Sequence, residues 1–333
     1  NSITSGANYN VVIGDEAGTA LTTGDNNVAL GFNALNDEDT GSYSTAIGSG
    51  TLSKQNNDDT NYNTAVGFEA GREITSGVQN TLIGGLAGLL LTTPNQNVAV
   101  GHGALDAETA AARNTAIGTN SLTSQNITTG GNSYNVGLGY FSGANITTGV
   151  ENTLIGSLAG DALQDADYNV AVGLAALGTD TLGSKSVAVG YSALLRQNFT
   201  TATDSFNIAI GYDAGSNVTT GTNNTLIGGQ AGDALTDADG NVAVGLNALT
   251  TDTLGSKSVA VGRSALALQN FSTATDTLNT AVGFYAGVNV TTGFENTIIG
   301  ANAGDALTDS DYNTVLGSQA LSSDTRGARN TAI

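Results

Sequence analysis

The chain has 333 residues, of which 46 are glycine and one is proline, and it lacks cysteine, methionine and tryptophan. Nine basic residues against 29 acidic ones leave a net charge of -20, which repels nucleic acid and anionic membranes. The missing cysteines exclude disulfides, thiolate metal sites and a cysteine nucleophile. With His102 as the single histidine there is no histidine-built metal centre, no apolar run approaches the ~20 residues that cross a bilayer, and nothing at the start reads as a signal peptide. A first residue Asn1 in place of methionine reads as a processed form or an excerpt, so residues 1–333 are expected to be one repeat array cut from a longer protein.

Taken in chain order, the same five-residue word returns along the whole sequence: Asn, then Thr or Val, then Ala or Leu, then an aliphatic residue, then Gly. It ends at Gly14, Gly31, Gly48, Gly67, Gly84, Gly101, Gly118, Gly139, Gly156, Gly173, Gly190, Gly211, Gly228, Gly245, Gly262, Gly283, Gly300 and Gly317. Most steps are 17 residues; the step from Gly48 to Gly67 is 19, and those from Gly118, Gly190 and Gly262 are 21. From Gly67 onward, three short steps and one long one make a 72-residue block, and residues 181–190 and 253–262 are identical at that distance. Each word predicts one short strand, and each 17-residue step one coil.

With the repeat glycine as position 0, position -1 is Ile, Leu or Val in all 18 coils, and position -4 is Asn except at Ser44, Ser186 and Ser258. The aliphatic column is expected to be a buried strand face, and the asparagines to hydrogen-bond to their copies in neighbouring coils as a ladder that fixes register. Position -2 is usually Ala but becomes Leu82, Leu154, Leu226 and Ile298 once per block, always in a coil whose position +4 is Gly rather than Leu. Such pairing predicts volume compensation in a close-packed interior.

Seventeen residues with one apolar word and a Thr-Thr-Gly or Asp-rich turn are too few for a strand-helix unit and lack helical periodicity. The expected fold is therefore all-β: a parallel β-solenoid, or β-roll, of about 17 residues per coil with a four-coil super-repeat. At ~4.8 Å per coil, roughly 19 coils would make a rod on the order of 90 Å long. In Val170-Ala-Val and Thr115-Ala-Ile both strand faces are apolar or small, so the outer face is expected to pack on further copies, three chains around one axis.

The words Asn114-Thr-Ala-Ile-Gly and Ser186-Val-Ala-Val-Gly-Tyr-Ser-Ala-Leu resemble the head repeats of trimeric autotransporter adhesins. The line from Asn207-Ile-Ala-Ile-Gly to Val218-Thr-Thr-Gly is similar to 17-residue repeats of phage tail fibres and bacterial surface fibres. The resemblance covers nearly all of residues 8–333. It implies trimeric parallel β-rolls that form the shaft or head of an extracellular fibre, cellular or viral. Partners would be the chain itself, as homotrimer or filament, and surface glycans.

Three chemistries are candidates. The acidic turns Asp165–Asp167, Asp237–Asp239 and Asp309–Asp311 offer the carboxylate oxygens that calcium favours, though Asp also serves turns through its own hydrogen bonds. Asn-x-Ser/Thr acceptors for N-glycans occur at Asn126, Asn145, Asn198, Asn217, Asn223, Asn270 and Asn289. Glycan binding, or cleavage by a polysaccharide-degrading spike, needs aromatics or paired carboxylates in a groove. Thirteen of the 18 aromatics, however, occupy only positions -5 and +1, where packing at strand ends is expected. Phe68, Tyr140, Tyr212 and Phe284, at +1 after each longer step, are expected to pin the enlarged loop. Charge at position -5, with Glu151, Tyr168 and Lys185 on successive coils and then Glu295, Tyr312 and Arg329, is expected to relieve part of the negative excess. The overall reading is a non-enzymatic spacer, with a glycan-binding adhesin surface as the alternative.

Overall fold

The computed structural model describes residues 6–333 and contains strands and turns with no helix among them. The chain divides into two compact units, Asn1–Asp167 and Tyr168–Ile333, and each is a parallel β-solenoid. In the first, three-residue strands recur from Val11–Ile13 to Thr153–Ile155; in the second they run from Val170–Val172 to Thr314–Leu316, followed by the two-residue strand Thr331–Ala332, about 19 turns in all. Pairing is parallel and in register one repeat apart, as in Thr64↔Thr81, Ala65↔Leu82 and Val66↔Ile83, or Ile208↔Thr225, Ala209↔Leu226 and Ile210↔Ile227. The turns are laddered too: Gly71 N–H donates to Ala87 O at 3.0 Å and Thr75 N–H to Thr92 O at 2.9 Å.

Backbone geometry explains the glycine that follows each repeat word. Gly84 has φ +136, and a Cβ there would lie 2.4 Å from the carbonyl oxygen of Gly101 in the next coil. Any side chain would enter the neighbouring backbone, so only glycine lets the coils close to hydrogen-bonding distance.

Strand parity sets the interior. Position -4 and position -2 point inward: Asn80, Leu82, Asn97 and Ala99 are fully buried. The asparagine ladder forms as expected, with Asn80 N–H donating to Asn63 Oδ1 at 2.9 Å, Asn97 N–H to Asn80 Oδ1 at 3.0 Å and Asn114 N–H to Asn97 Oδ1 at 2.9 Å. The aliphatic column at -1 does not form the buried face. It alternates with -2 and points out of the coil, leaving Ile83 40% and Ile299 38% exposed.

Volume compensation is direct. A Cβ on Gly71 would sit 2.6 Å from Leu82 Cδ1, and one on Gly88 2.8 Å from Leu82 Cδ2. Where position -2 is Ala, as at Ala99 and Ala116, position +4 is instead Leu105 and Leu122, fully buried with φ +54 and +50. Left-handed backbone costs a leucine about 1–2 kcal/mol, and burying its side chain returns about 1.5–3 kcal/mol, so packing offsets the strain.

The longer steps add local structure without breaking the main ladder. Ala111–Ala112 pairs with Gly131–Asn132, Gly183–Ser184 with Thr203–Asp204, and Gly255–Ser256 with Thr275–Asp276. The 19-residue step carries a single bridge, Ser42↔Thr60.

Candidate functional site

Two features stand out from the repeat: an apolar outer strand face and a set of buried carboxylates beneath the long turns. The outer face consists of positions -3 and -1 flanked by -5 and +1. No Asp, Glu, Lys or Arg occupies -3 or -1 in any coil. Within the first unit, Phe32, Tyr43, Tyr62, Phe68 and Tyr140 are exposed on it; within the second, Tyr191, Tyr212, Leu246 and Phe284 are. Tyr191 and Tyr212 stack at 5.3 Å with planes 9° apart, and Tyr43 stacks on Tyr62 at 5.3 Å.

These exposed rings correct the expectation that the +1 aromatics pin the enlarged loops. Position +1 lies on the outward side of the strand face, so Phe68 and Tyr212 are 57% and 58% exposed. In the second unit the loops are anchored by other rings, Phe199 and Phe271, which are 5% and 7% exposed. Asp213 beside Tyr212 raises that phenol's pKa, chiefly by its negative charge.

The buried carboxylates are Glu38, Glu108, Asp180 and Asp252, none exposed at all. Each stands at position +7 of the coil before a longer step, and position +7 of the next coil is a buried glutamine: Gln55, Gln125, Gln197 or Gln269. Asp180 accepts from Gly183 N–H at 3.0 Å, Phe199 N–H at 3.1 Å and Gln197 Nε2 at 2.6 Å. Glu108 accepts from the N–H groups of Thr109, Ala110 and Ala111 at 2.8–2.9 Å, from Gln125 Nε2 at 2.9 Å and from Ile127 N–H at 3.3 Å. The glutamine also bonds to the position -4 residues on either side of the longer step. Gln197 Nε2 also donates to Ser186 Oγ at 2.8 Å, and its Oε1 accepts from Asn207 Nδ2 at 2.8 Å. Sequence reasoning missed these pairs, although an acid followed by glutamine at the same position, once per block, was their visible signal.

The residues proposed for calcium have other partners. Asp165 Oδ1 accepts from Thr148 Oγ1 at 2.7 Å, Asp167 Oδ1 from Val150 N–H at 2.8 Å, Asp237 Oδ1 from Thr220 Oγ1 at 2.7 Å and Asp239 Oδ1 from Thr222 N–H at 2.6 Å. Asp311 Oδ1 accepts from Phe294 N–H at 3.0 Å, and Asp309 lies 3.8 Å from Arg326. They knit each acidic turn to an adjoining coil, and the described residues hold no group of three or more His, Asp or Glu arranged for a metal ion. Behind these turns, Asp161 and Asp233 are half-buried, and that burial raises their carboxyl pKa values above the ordinary Asp range.

Among the glycan acceptors, Asn145, Asn217 and Asn289 donate their amide nitrogens to the carbonyls of Asp161, Asp233 and Asp305 at 2.7, 2.7 and 2.6 Å. Asn126, Asn198 and Asn270 accept hydroxyls from Thr109, Thr181 and Thr253, and Asn223 donates to Thr222 Oγ1 at 3.0 Å. Asn145, Asn198, Asn223, Asn270 and Asn289 are exposed; Asn126 and Asn217 are half-buried.

Charge pairing also differs from expectation. Lys185 pairs with Asp204 at 2.5 Å, because the long turn brings that carboxylate beside it, and Lys257 pairs with Asp276 in the same way. Arg329 lies over the Tyr312 ring at 5.2 Å. Lys54 hydrogen-bonds Glu73 at 2.5 Å and is the main cause of that carboxyl's lowered pKa. His102 is exposed. The described residues enclose no pocket. A scan against protein-family models finds no match, and a search of curated proteins finds none either.

Proposed function

We propose that the chain is a structural segment, shaft or head, of an extracellular fibre, built from four-coil blocks and assembled as a homotrimer. Its work is to hold a recognition element away from a surface. The observation that carries this reading is the outer strand face, charge-free at -3 and -1 and lined with exposed aliphatic and aromatic side chains in both units. Parallel sheets are normally covered on both sides, and depletion of charge with enrichment of aromatics marks the core of protein interfaces. Light scattering on the purified chain is expected to give the mass of three copies, and Ile227→Lys with Ile299→Lys to reduce it to one. A monomer at micromolar concentration in the unsubstituted protein would overturn the trimer.

A second reading, a glycan-binding adhesin surface, is favoured by the exposed stacked pair Tyr191 and Tyr212. Oligosaccharide titration would separate the two: binding lost in Tyr191→Ala with the oligomeric mass unchanged supports the adhesin surface. A polysaccharide-degrading spike has less support, because the four carboxylates that break the repeat are sealed from any polymer.

A further inference from the structure

Positions -5 and +1 stand at opposite ends of each outer strand, and the sequence changes them together. Around Gly67, Gly139, Gly211 and Gly283 both are large and apolar: Tyr62 with Phe68, Tyr134 with Tyr140, Phe206 with Tyr212, and Leu278 with Phe284. These side chains are all 44–58% exposed. Around Gly84, Gly156, Gly228 and Gly300 a polar residue at -5 accompanies a small one at +1: Gln79 with Gly85, Glu151 with Ser157, Asn223 with Gly229, and Glu295 with Ala301. Identities drift from block to block, yet the pairing of types is kept.

The two positions do not meet within one chain. Between Phe206 and Tyr212 lie five residues that include the strand Ile208–Ile210, which at ~3.3 Å per residue set their Cα atoms roughly 15–20 Å apart. Ring contacts inside the chain run along one column instead, Tyr43 on Tyr62 and Tyr191 on Tyr212, or join sequence neighbours, Tyr140 with Phe141 and Phe284 with Tyr285. Positions that change together without touching in one chain point to contact between chains. Where position -5 is basic, the partner is in the same chain: Arg113 donates to Gln96 and Tyr134, and Lys185 and Lys257 pair with Asp204 and Asp276. Arg263, at +1 of the same coil as Lys257, lies 5.9 Å from the Phe284 and Tyr285 rings of its own chain.

Copies related by rotation about one axis stand at equal height, so one edge column of a copy faces the opposite edge column of the next in the same coil. Resting on the homotrimer reading, we propose that the three copies close head to tail, position -5 of each against position +1 of the next. The large apolar pairs anchor each seam, because two exposed rings that meet bury their area and exclude water. The polar and small pairs are its openings, where Glu151 beside Ser157, or Glu295 beside Ala301, keeps its carboxylate in water. The pairs also select register. Displaced by one coil, Phe206 would face Gly229 and Asn223 would face Leu246, leaving a ring unpacked and an amide against an apolar side chain.

The chain has no cysteine, so introduced thiols test the seam without background. The full chain carrying Phe206→Cys with Tyr212→Cys is treated with a bis-maleimide shorter than the roughly 15–20 Å of intervening chain and run on a denaturing gel. A covalent species of three chains is expected, while Phe206→Cys alone and Tyr212→Cys alone stay at one chain, because like positions lie on different seams. Either single variant linking to itself overturns the head-to-tail seam, and so does a ladder beyond three chains. A double variant that scatters light as three copies yet stays at one chain on the gel overturns it too. An unsubstituted chain that scatters as one copy overturns the homotrimer itself, which separates the two failures. Should loss of the rings reduce the double variant to one copy, Glu151→Cys with Ser157→Cys, which removes no ring, decides by the same gel.

Discussion

The coils that open at Gly67 and Gly84 and those that open at Gly101 and Gly118 enclose the same cross-section by different means. The first pair packs Ile74 and Leu91 at position +7 around Leu82, with Gly71 and Gly88 making room. The second keeps Ala99 and Ala116 at position -2, fills the space with Leu105 and Leu122, and places Glu108 over Gln125 at +7. The apolar pair is held by shape; the polar pair is held by hydrogen bonds. The polar chemistry lies where the step length changes: there the asparagine after the step donates to the glutamine, as Asn135 Nδ2 does to Gln125 Oε1, and the glutamine amide can donate as well as accept.

The frame common to both pairs should be the most sensitive to change. Gly84→Val adds a Cβ against the Gly101 carbonyl at a φ of +136, and is expected to cost roughly 4 kcal/mol or more, read as a collapse of the denaturation midpoint. A wild-type midpoint would show that the coils can spread apart without penalty. Next in size is Leu82→Ala, which empties the apolar pair and is expected to lose about 3 kcal/mol, whereas the alanine found at the same position in the polar pair costs nothing because Leu105 occupies that volume. Gln125→Leu keeps the bulk but removes the donor to Glu108 and the acceptor for Asn135 Nδ2 at 2.9 Å, for an expected loss of about 2 kcal/mol in urea denaturation.

The smallest effect concerns charge at the acidic turn. The carboxyl of Asp233 is raised by burial, so its folded form favours the proton: its contribution to stability is full below the ordinary Asp range and falls as pH rises through the raised value. Asp233→Asn is therefore expected to raise the melting temperature slightly at neutral pH and to leave it unchanged in acid, with the hydroxyl of Thr250, now 2.6 Å from Oδ1, still accepted by the amide oxygen. A lower melting temperature at neutral pH would assign the carboxylate a stabilising partner instead.

Much of this architecture can be read in the sequence, because each coil repeats the same stereochemical constraints. The glycine at position 0 marks a backbone that no side chain tolerates, and the asparagine at -4 marks the ladder. Leu82 with Gly71 and Gly88 announces the packing. The orientation of position -1 was also decidable: if Asn80 at -4 is inside, Leu82 at -2 is inside and Ile83 must face out. Apolar character alone hides that parity, since Ile83 is as hydrophobic as a core residue yet 40% exposed. Asp180 and Gln197 were harder to see. Each is an ordinary turn residue by type, and only superposing position +7 on Ile74 and Leu91 shows that it occupies a core place. The anchoring role of Phe199 was hidden likewise, since it falls in an insertion with no counterpart in the shorter coils.

The exchange of bulk between positions -2 and +4 restricts how such a chain can change length. Removing residues 85–101 would join Gly84 directly to His102 and bring Leu105 into the place of Gly88, where even a Cβ would approach Leu82 to 2.8 Å. Removing residues 182–253 would instead join Thr181 to Leu254 and leave the order of large and small interior positions intact, as well as the acid-glutamine pair. One coil is therefore the unit of hydrogen bonding, while the order of large and small interior positions returns only after four, so the 72-residue deletion is expected to keep a packed interior and the 17-residue deletion to lose it.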